Sequence, residues 1–215
     1  CMRHDVDLRP AYSLEFAKIQ YAFNIKGTYY FRAAPESWNE AVIREIHSLG
    51  HEIGYHYESL TTTKGNIQKA ITDFEKNLEK LRKLVPVNTI CMHGSPRSKY
   101  DSKDLWKHYD YRQFGIIAEP YFDTDFSQVA YYTDTGRMWD GHKYSVRDKV
   151  HHSQFPVFHT TLQMIEAIEN GTFPSKAMIT FHPQRWTNQP IPWVKELVLQ
   201  RSKNIIKKYF FVKTS

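Results

Sequence analysis

Cysteine is scarce in this 215-residue chain: Cys1 and Cys91 are the two. Both fall in apolar, strand-like stretches, which argues against a disulfide-built scaffold and fits a reducing, cytoplasmic setting. Long apolar runs are missing as well. None approaches the length of a membrane span, so no spanning segment is expected. The sequence has no internal repeat and no low-complexity linker, and residues 1–215 read as a single domain. The formal net charge is +6, but no basic stripe interleaved with aromatics accompanies it, so no nucleic-acid partner is expected. Much of the surplus lies in Lys64–Lys83 and Arg201–Lys213, on what read as solvated helix faces. The chain opens on cysteine rather than methionine, which implies residues upstream. Nothing in the composition decides the oligomeric state.

What is present in quantity is core material: 41 % apolar and 15 % aromatic residues. The patterns alternate. Strands are expected at Cys1–Asp7, Gly27–Arg32, His51–His56, Asn88–His93, Phe114–Glu119, Val129–Thr133 and Ala177–His182. Between them, helices are expected at Pro10–Asn24, from a Ser37 cap to Leu49, at Thr61–Val85, around Asp101–His108, and at Thr160–Asn170. A last helix, Pro192–Phe210, carries Val194, Leu197, Val198, Arg201 and Ile205 along one face. Connections this long suit parallel strands with helices outside. The expected fold is α/β, a distorted (β/α) barrel of about seven parallel strands.

Chemistry gathers at the strand ends. Asp5 and Asp7 are two apart on an extended chain, so they share a face. Neighbouring carboxylates repel unless a cation or a shared proton separates them. A salt bridge to Arg3 or Arg9 would answer that repulsion, and so would a metal or an acid/base role. His56, His93 and His182 end three further strands. In a parallel sheet all these ends lie on one face, where barrel enzymes keep their catalytic groups. An aspartate with two histidines is a ligand set for a borderline divalent metal, with zinc first in line.

These motifs resemble those of the polysaccharide deacetylases of the NodB-homology type, carbohydrate esterase family 4, in a divergent branch opening on His-Asp-Val-Asp. Gly50-His-Glu-Ile-Gly-Tyr-His56 is similar to the family's Gly-His-Glu-Ile-Gly-Asn-His and is the most specific match. Arg3-His-Asp-Val-Asp7 corresponds to its opening Thr-Phe-Asp-Asp-Gly, and Gly27-Thr-Tyr-Tyr-Phe31 to its Ala-Thr-Phe-Phe strand. The family's Arg-Pro-Pro-Tyr loop falls near His93-Gly-Ser-Pro-Arg97, its tryptophan motif near Trp139-Asp140, and its Leu-x-His at Thr180-Phe-His182.

The resemblance implies a NodB-type barrel that removes N-acetyl groups from an amino sugar of a polysaccharide or glycan precursor. By that likeness Asp5 is the base and His182 the acid. Asp7, His56 and His93 hold the metal, with Arg97 and Trp139 toward the carbohydrate substrate. Two departures matter. The family's second metal histidine falls on Leu60, which cannot bind metal, so His93 is the first choice as replacement and Glu58 the second. The opening motif is displaced, so whether Asp5 or Asp7 is the ligand stays open. Trp139 is either a sugar-stacking ring or a core residue. The rival functions are hydrolysis of a non-sugar amide and carbohydrate binding without catalysis.

Overall fold

The computed structural model describes residues 1–95, 98–140, 150 and 154–210; for 205–210 it describes the backbone alone. Six strands form one parallel sheet: β1 (Met2–Val6), β2 (Thr28–Phe31), β3 (Glu52–Tyr57), β4 (Ile90–Met92), β5 (Ala130–Thr133) and β6 (Ala177–Phe181). Their order is β4-β3-β2-β1-β6-β5, curled into half a barrel. The helices are α1 (Pro10–Ala22), α2 (Glu40–Ser48), α3 (Ser59–Thr62), α4 (Ile67–Arg82), α5 (Pro120–Asp123), α6 (Thr161–Glu169) and α7 (Pro190–Phe210).

Strand β1 is central, and its alternation divides the molecule. His4 and Val6 point into the helix layer. His4 stacks on Tyr29 at 4.0 Å and exchanges a hydrogen bond with Gln20 of α1 at 3.1 Å. Val6 joins Phe31, Ile43, Ile53, Phe74 and Leu78 in the larger core. Arg3 and Asp5 point the other way, into the concave side of the curl. A smaller core under α6 joins Tyr132, Trp139, Phe158, Met164 and Phe181.

Among the described residues six strands are formed, where about seven were expected. The stretch 114–119 gives only a bridge between Ala118 and Thr89. Gly115 turns left-handed at φ 68°, and Glu119 already caps α5 by accepting from Tyr121 N. Pro120 follows, so too few residues remain to extend a ladder. The expected long helix at 61–85 is broken. Lys64 and Gly65 take φ 54° and 82°, and the Asn66 side chain caps α4 by accepting from Lys69 N. Asn39, not Ser37, caps α2. Ser37 instead donates to the Val6 carbonyl, tying the end of β1 to the β2–α2 loop. Among the described side chains of α7, Val194 and Val198 are exposed, Leu197 is half-buried, and the buried ones are Gln200 and Asn204; Ile205 lies outside the described side chains. Asn204 donates to the Gly136 carbonyl at 2.9 Å, a polar contact that the apolar spacing does not signal.

Candidate functional site

The segment Gly50–His56 shows how the sequence builds the site. Gly50, at φ 80°, ends α2 in a conformation that penalises a side chain. His51 is structural: it accepts from Gly27 N at 3.2 Å and donates from Nε2 to the Ala17 carbonyl at 3.0 Å. Glu52 accepts from Thr28 and Thr89, bracing β3 against both neighbours. Ile53 and Tyr55 enter the core. A Cβ on Gly54 would lie 2.3 Å from the Tyr30 ring, so glycine lets that ring cross the strand. His56 then faces the concave side, buried, at the strand end.

Asp7 lies just beyond β1. Its Oδ1 is 3.5 Å from His56 Nε2 and 3.5 Å from His93 Nε2. That oxygen is buried and has no hydrogen-bond partner among the described residues. Both imidazoles are held from behind. His56 Nδ1 lies 2.9 Å from the Cys91 carbonyl, which can only accept, so Nδ1 carries the proton. His93 Nδ1 lies 2.9 Å from Glu58 Oε2, with the same consequence. Each Nε2 is therefore the ring's free donor atom toward Asp7 when the imidazole is neutral. Arg32 grips Glu58 through Nε and Nη2 at 3.0 and 2.7 Å. Burial alone would raise the Glu58 carboxyl, but the His93 hydrogen bond and the Arg32 charge bring it down to about 2. Burial opposes the charged form of His93 too, yet Asp7 and Glu58 outweigh it and hold that pKa above the usual value. Desolvation likewise opposes ionised Asp7, but the surrounding histidines keep it well below the usual carboxylate range.

The donor set fits a metal. Separations of 3.5 Å are too long for hydrogen bonds. They match the edge of a tetrahedron with metal–ligand bonds of about 2.1 Å, which is about 3.4 Å. The orphaned oxygen of Asp7 is the group such an ion would satisfy. Leu60 is not part of this cluster: it is buried at 3 % exposure in the larger core. Glu58 stands behind His93 instead of beside it, as support for the ring.

Asp5 is in a different situation. Arg3 holds it as a fork, Nε to Oδ1 at 2.9 Å and Nη2 to Oδ2 at 2.7 Å. Both side chains are buried. Desolvation works against ionised Asp5, and the Arg3 charge more than compensates, so its pKa is lowered. Asp5 Oδ2 lies 3.8 Å from His56 Nε2. Asp5, His56 and Cys91 also come within 4.8 Å of one another, but Arg3 covers both Asp5 oxygens.

On the other side of Asp7 stands His182, its Nε2 3.9 Å from Asp7 Oδ2. His182 Nδ1 is 2.5 Å from Asp134 Oδ1. Asp134 also accepts from His182 N, Arg185 and Trp186. Burial raises the Asp134 carboxyl, but Arg185 and His182 overcome that and bring it to about 2. Asp134 was not singled out from sequence, although it follows β5 as His182 follows β6. The rule that found His182 applies to it unchanged. Trp139 is 7 % exposed, edge-on to Phe181 and donating to Thr161 at 3.0 Å, and it also lines a cavity beside Asp134. Arg97 lies outside the described residues.

No protein-family model matches the sequence, and no curated protein matches it. Solved structures do match its fold. PdaA of Bacillus subtilis, a family 4 carbohydrate esterase, aligns with a TM-score of 0.50 at 10 % identity. The alignment covers 94 % of this chain and 74 % of that one. A mutant of a CE4 family pseudoenzyme, described as having restored enzymatic activity, aligns with a TM-score of 0.51 at 12 % identity, over 95 % of this chain and 61 % of that one. The chain thus has the half-barrel fold seen in family 4 carbohydrate esterases.

Proposed function

We propose that this protein is a metal-dependent hydrolase that removes N-acetyl groups from an amino sugar within a glycan. The observation that carries the reading is the Asp7 oxygen, buried without a partner and equidistant from the free nitrogens of His56 and His93. Those three residues would hold a divalent ion, zinc by the chemistry of the set. Bound there, the ion supplies Lewis-acid polarisation of an amide carbonyl and makes a neighbouring water more acidic.

The rest belongs to the protein. Asp5 takes the proton from the attacking water; the Arg3 fork fixes its plane and leaves a lone pair on each oxygen. His182, oriented by Asp134, delivers a proton from Nε2 to the departing amine. His182 Nε2 lies 3.9 Å from Asp7 Oδ2 and Asp5 Oδ2 lies 3.8 Å from His56 Nε2, so the base and the acid both border the Asp7–His56–His93 cluster. A second reading, glycan binding without turnover, is favoured by one feature: the Arg3 fork makes Asp5 a weaker base. Acetate release from N-acetylated oligosaccharides, measured on zinc-loaded protein and on Asp5→Asn, tests both. Turnover lost in the variant supports the hydrolase. Saccharide binding with stoichiometric zinc and no acetate from the wild type supports the second reading.

A further inference from the structure

A cavity of about 250 Å³ lies on the Nδ1 side of His182, away from the candidate metal ligands. Its lining includes Asp134 and Arg185 together with Arg137, Trp139, Trp186 and Trp193. That volume is at or below the small end for ligand pockets, which run from about 300 Å³, so it suits one ring. Trp139 is buried, while Trp186 is half-buried and Trp193 exposed; indoles are the apolar rings that pack on the C–H faces of a sugar.

The charges in the cavity are unequal. Asp134 is saturated by His182, Arg185 and Trp186. Arg185 is spent on Asp134. Arg137 is different. Its guanidinium lies 4.9 Å from the centre of the Trp193 ring and donates to the Arg185 carbonyl at 3.1 Å. Among the described residues no carboxylate lies within ion-pair distance of it. Its backbone sits at φ 63°, a conformation that costs a non-glycine residue energy. Asn204 anchors the preceding Gly136 by its carbonyl. The fold therefore holds, at some expense, a partly buried cation that lines an aromatic cavity and, among the described residues, hydrogen-bonds through Nη1 alone.

We infer that this cavity is a subsite for a carboxylate-bearing sugar, its ring against the tryptophans and its carboxylate on Arg137. The inference rests on the glycan reading above and narrows it to acidic glycans. The cavity is one imidazole away from Asp7, so a sugar held there neighbours the one being deacetylated. Arg137 acts on binding and leaves the chemistry to Asp5 and His182.

The test uses glucuronate and glucose as probes on the full chain, with chelator present, followed through the indole N–H signals of Trp186 and Trp193. Glucuronate is expected to shift both and to bind about tenfold or more tightly than glucose, as a charge-assisted hydrogen bond implies. Arg137→Gln is expected to abolish that preference, and Arg137→Lys to keep part of it with the fold checked by circular dichroism. Equal affinity for the two sugars, no binding of either, or a preference that survives Arg137→Gln would overturn the subsite. Failure of the deacetylase reading shows differently: glucuronate binds with the expected preference and no acetate is released. Acetate release that is indifferent to Arg137→Gln and to substrate carboxylates removes the subsite alone.

Discussion

Asp5 and Asp7 leave the same strand two residues apart, yet the protein treats them in opposite ways. Asp5 is closed off by a cation two residues away on its own strand, at 2.7–2.9 Å. Asp7 faces two histidine nitrogens at 3.5 Å, and one of its oxygens has no hydrogen-bond partner among the described residues. The difference is a difference of stability. A buried ion pair broken on one side leaves an uncompensated charge, at a cost of about 3–5 kcal/mol. The charge of Asp7 is answered by histidines, which can give up a proton, so its loss strands no permanent charge and costs less. One carboxylate is paired within the fold; the other has the surroundings that the proposed metal centre requires.

The sharpest break of this comparison is the pair Asp5→Asn and Asp7→Asn. In urea unfolding of metal-free protein, Asp5→Asn is expected to lose about 3–5 kcal/mol, because Arg3 stays buried. Asp7→Asn is expected to cost less than that: it forfeits the attraction of the histidines but leaves no permanently charged partner buried alone. Loaded with zinc, the order reverses: Asp7→Asn loses metal and turnover together. Asp5→Asn keeps metal while turnover falls about a hundredfold to ten-thousandfold. Equal destabilisation by both changes would erase the distinction.

Glu119 supplies a third case, a buried carboxylate with neither a paired cation nor a metal-shaped surround. Burial pushes it up to about 7, with the Tyr121 and Met92 amides and the Tyr57 hydroxyl opposing that. A carboxyl raised in the folded state binds more protons there than in the unfolded chain. Its stabilisation is complete below about pH 4.5 and is lost as pH rises through about 7, roughly 3 kcal/mol in all. Glu119→Gln is neutral throughout, so the stability difference between wild type and variant should shrink to acid and widen toward pH 7. A difference independent of pH contradicts the assignment.

Smaller effects probe the supports of Asp7's neighbours. Glu58→Gln is expected to weaken zinc binding about 10–100-fold, since it loosens the hold on His93 from behind. Direct ligation by Glu58 would instead remove the ion altogether. Leu60→His is expected to leave zinc affinity unchanged and to cost about 1–3 kcal/mol, because it buries an imidazole within the core. Tighter zinc binding in that variant would mean that the centre extends toward α3.

Much of this site was legible in the sequence, because one rule covers it. Ionisable residues placed at the ends of parallel strands converge, and Asp5, Asp7, His56, His93 and His182 all obey. The Arg3–Asp5 pair was legible as two positions on one face. What stayed hidden depends on which way a ring turns. That Glu58 backs His93 instead of joining it follows from the Nδ1 of His93 facing the start of α3, which no spacing reveals. The role of Asp134 depends on β5 lying beside β6, an adjacency set by the sheet order. The missing seventh strand turns on Pro120 and on the Glu119 cap, both local signals that an apolar run outweighed. In α7 the buried ones among the described side chains are Gln200 and Asn204, the latter bonded to a backbone carbonyl, and hydrophobic spacing gives no signal for such a contact.

The central claim is that Asp7, His56 and His93 form one metal centre while Asp5 stays outside it. Its most direct test is metal content per chain after purification without chelator and reconstitution with zinc, on wild type, His93→Ala and Asp5→Asn. The account predicts one zinc per chain in the wild type and in Asp5→Asn, and none retained by His93→Ala. Retention of a full equivalent by His93→Ala, or no zinc in the reconstituted wild type, would contradict it.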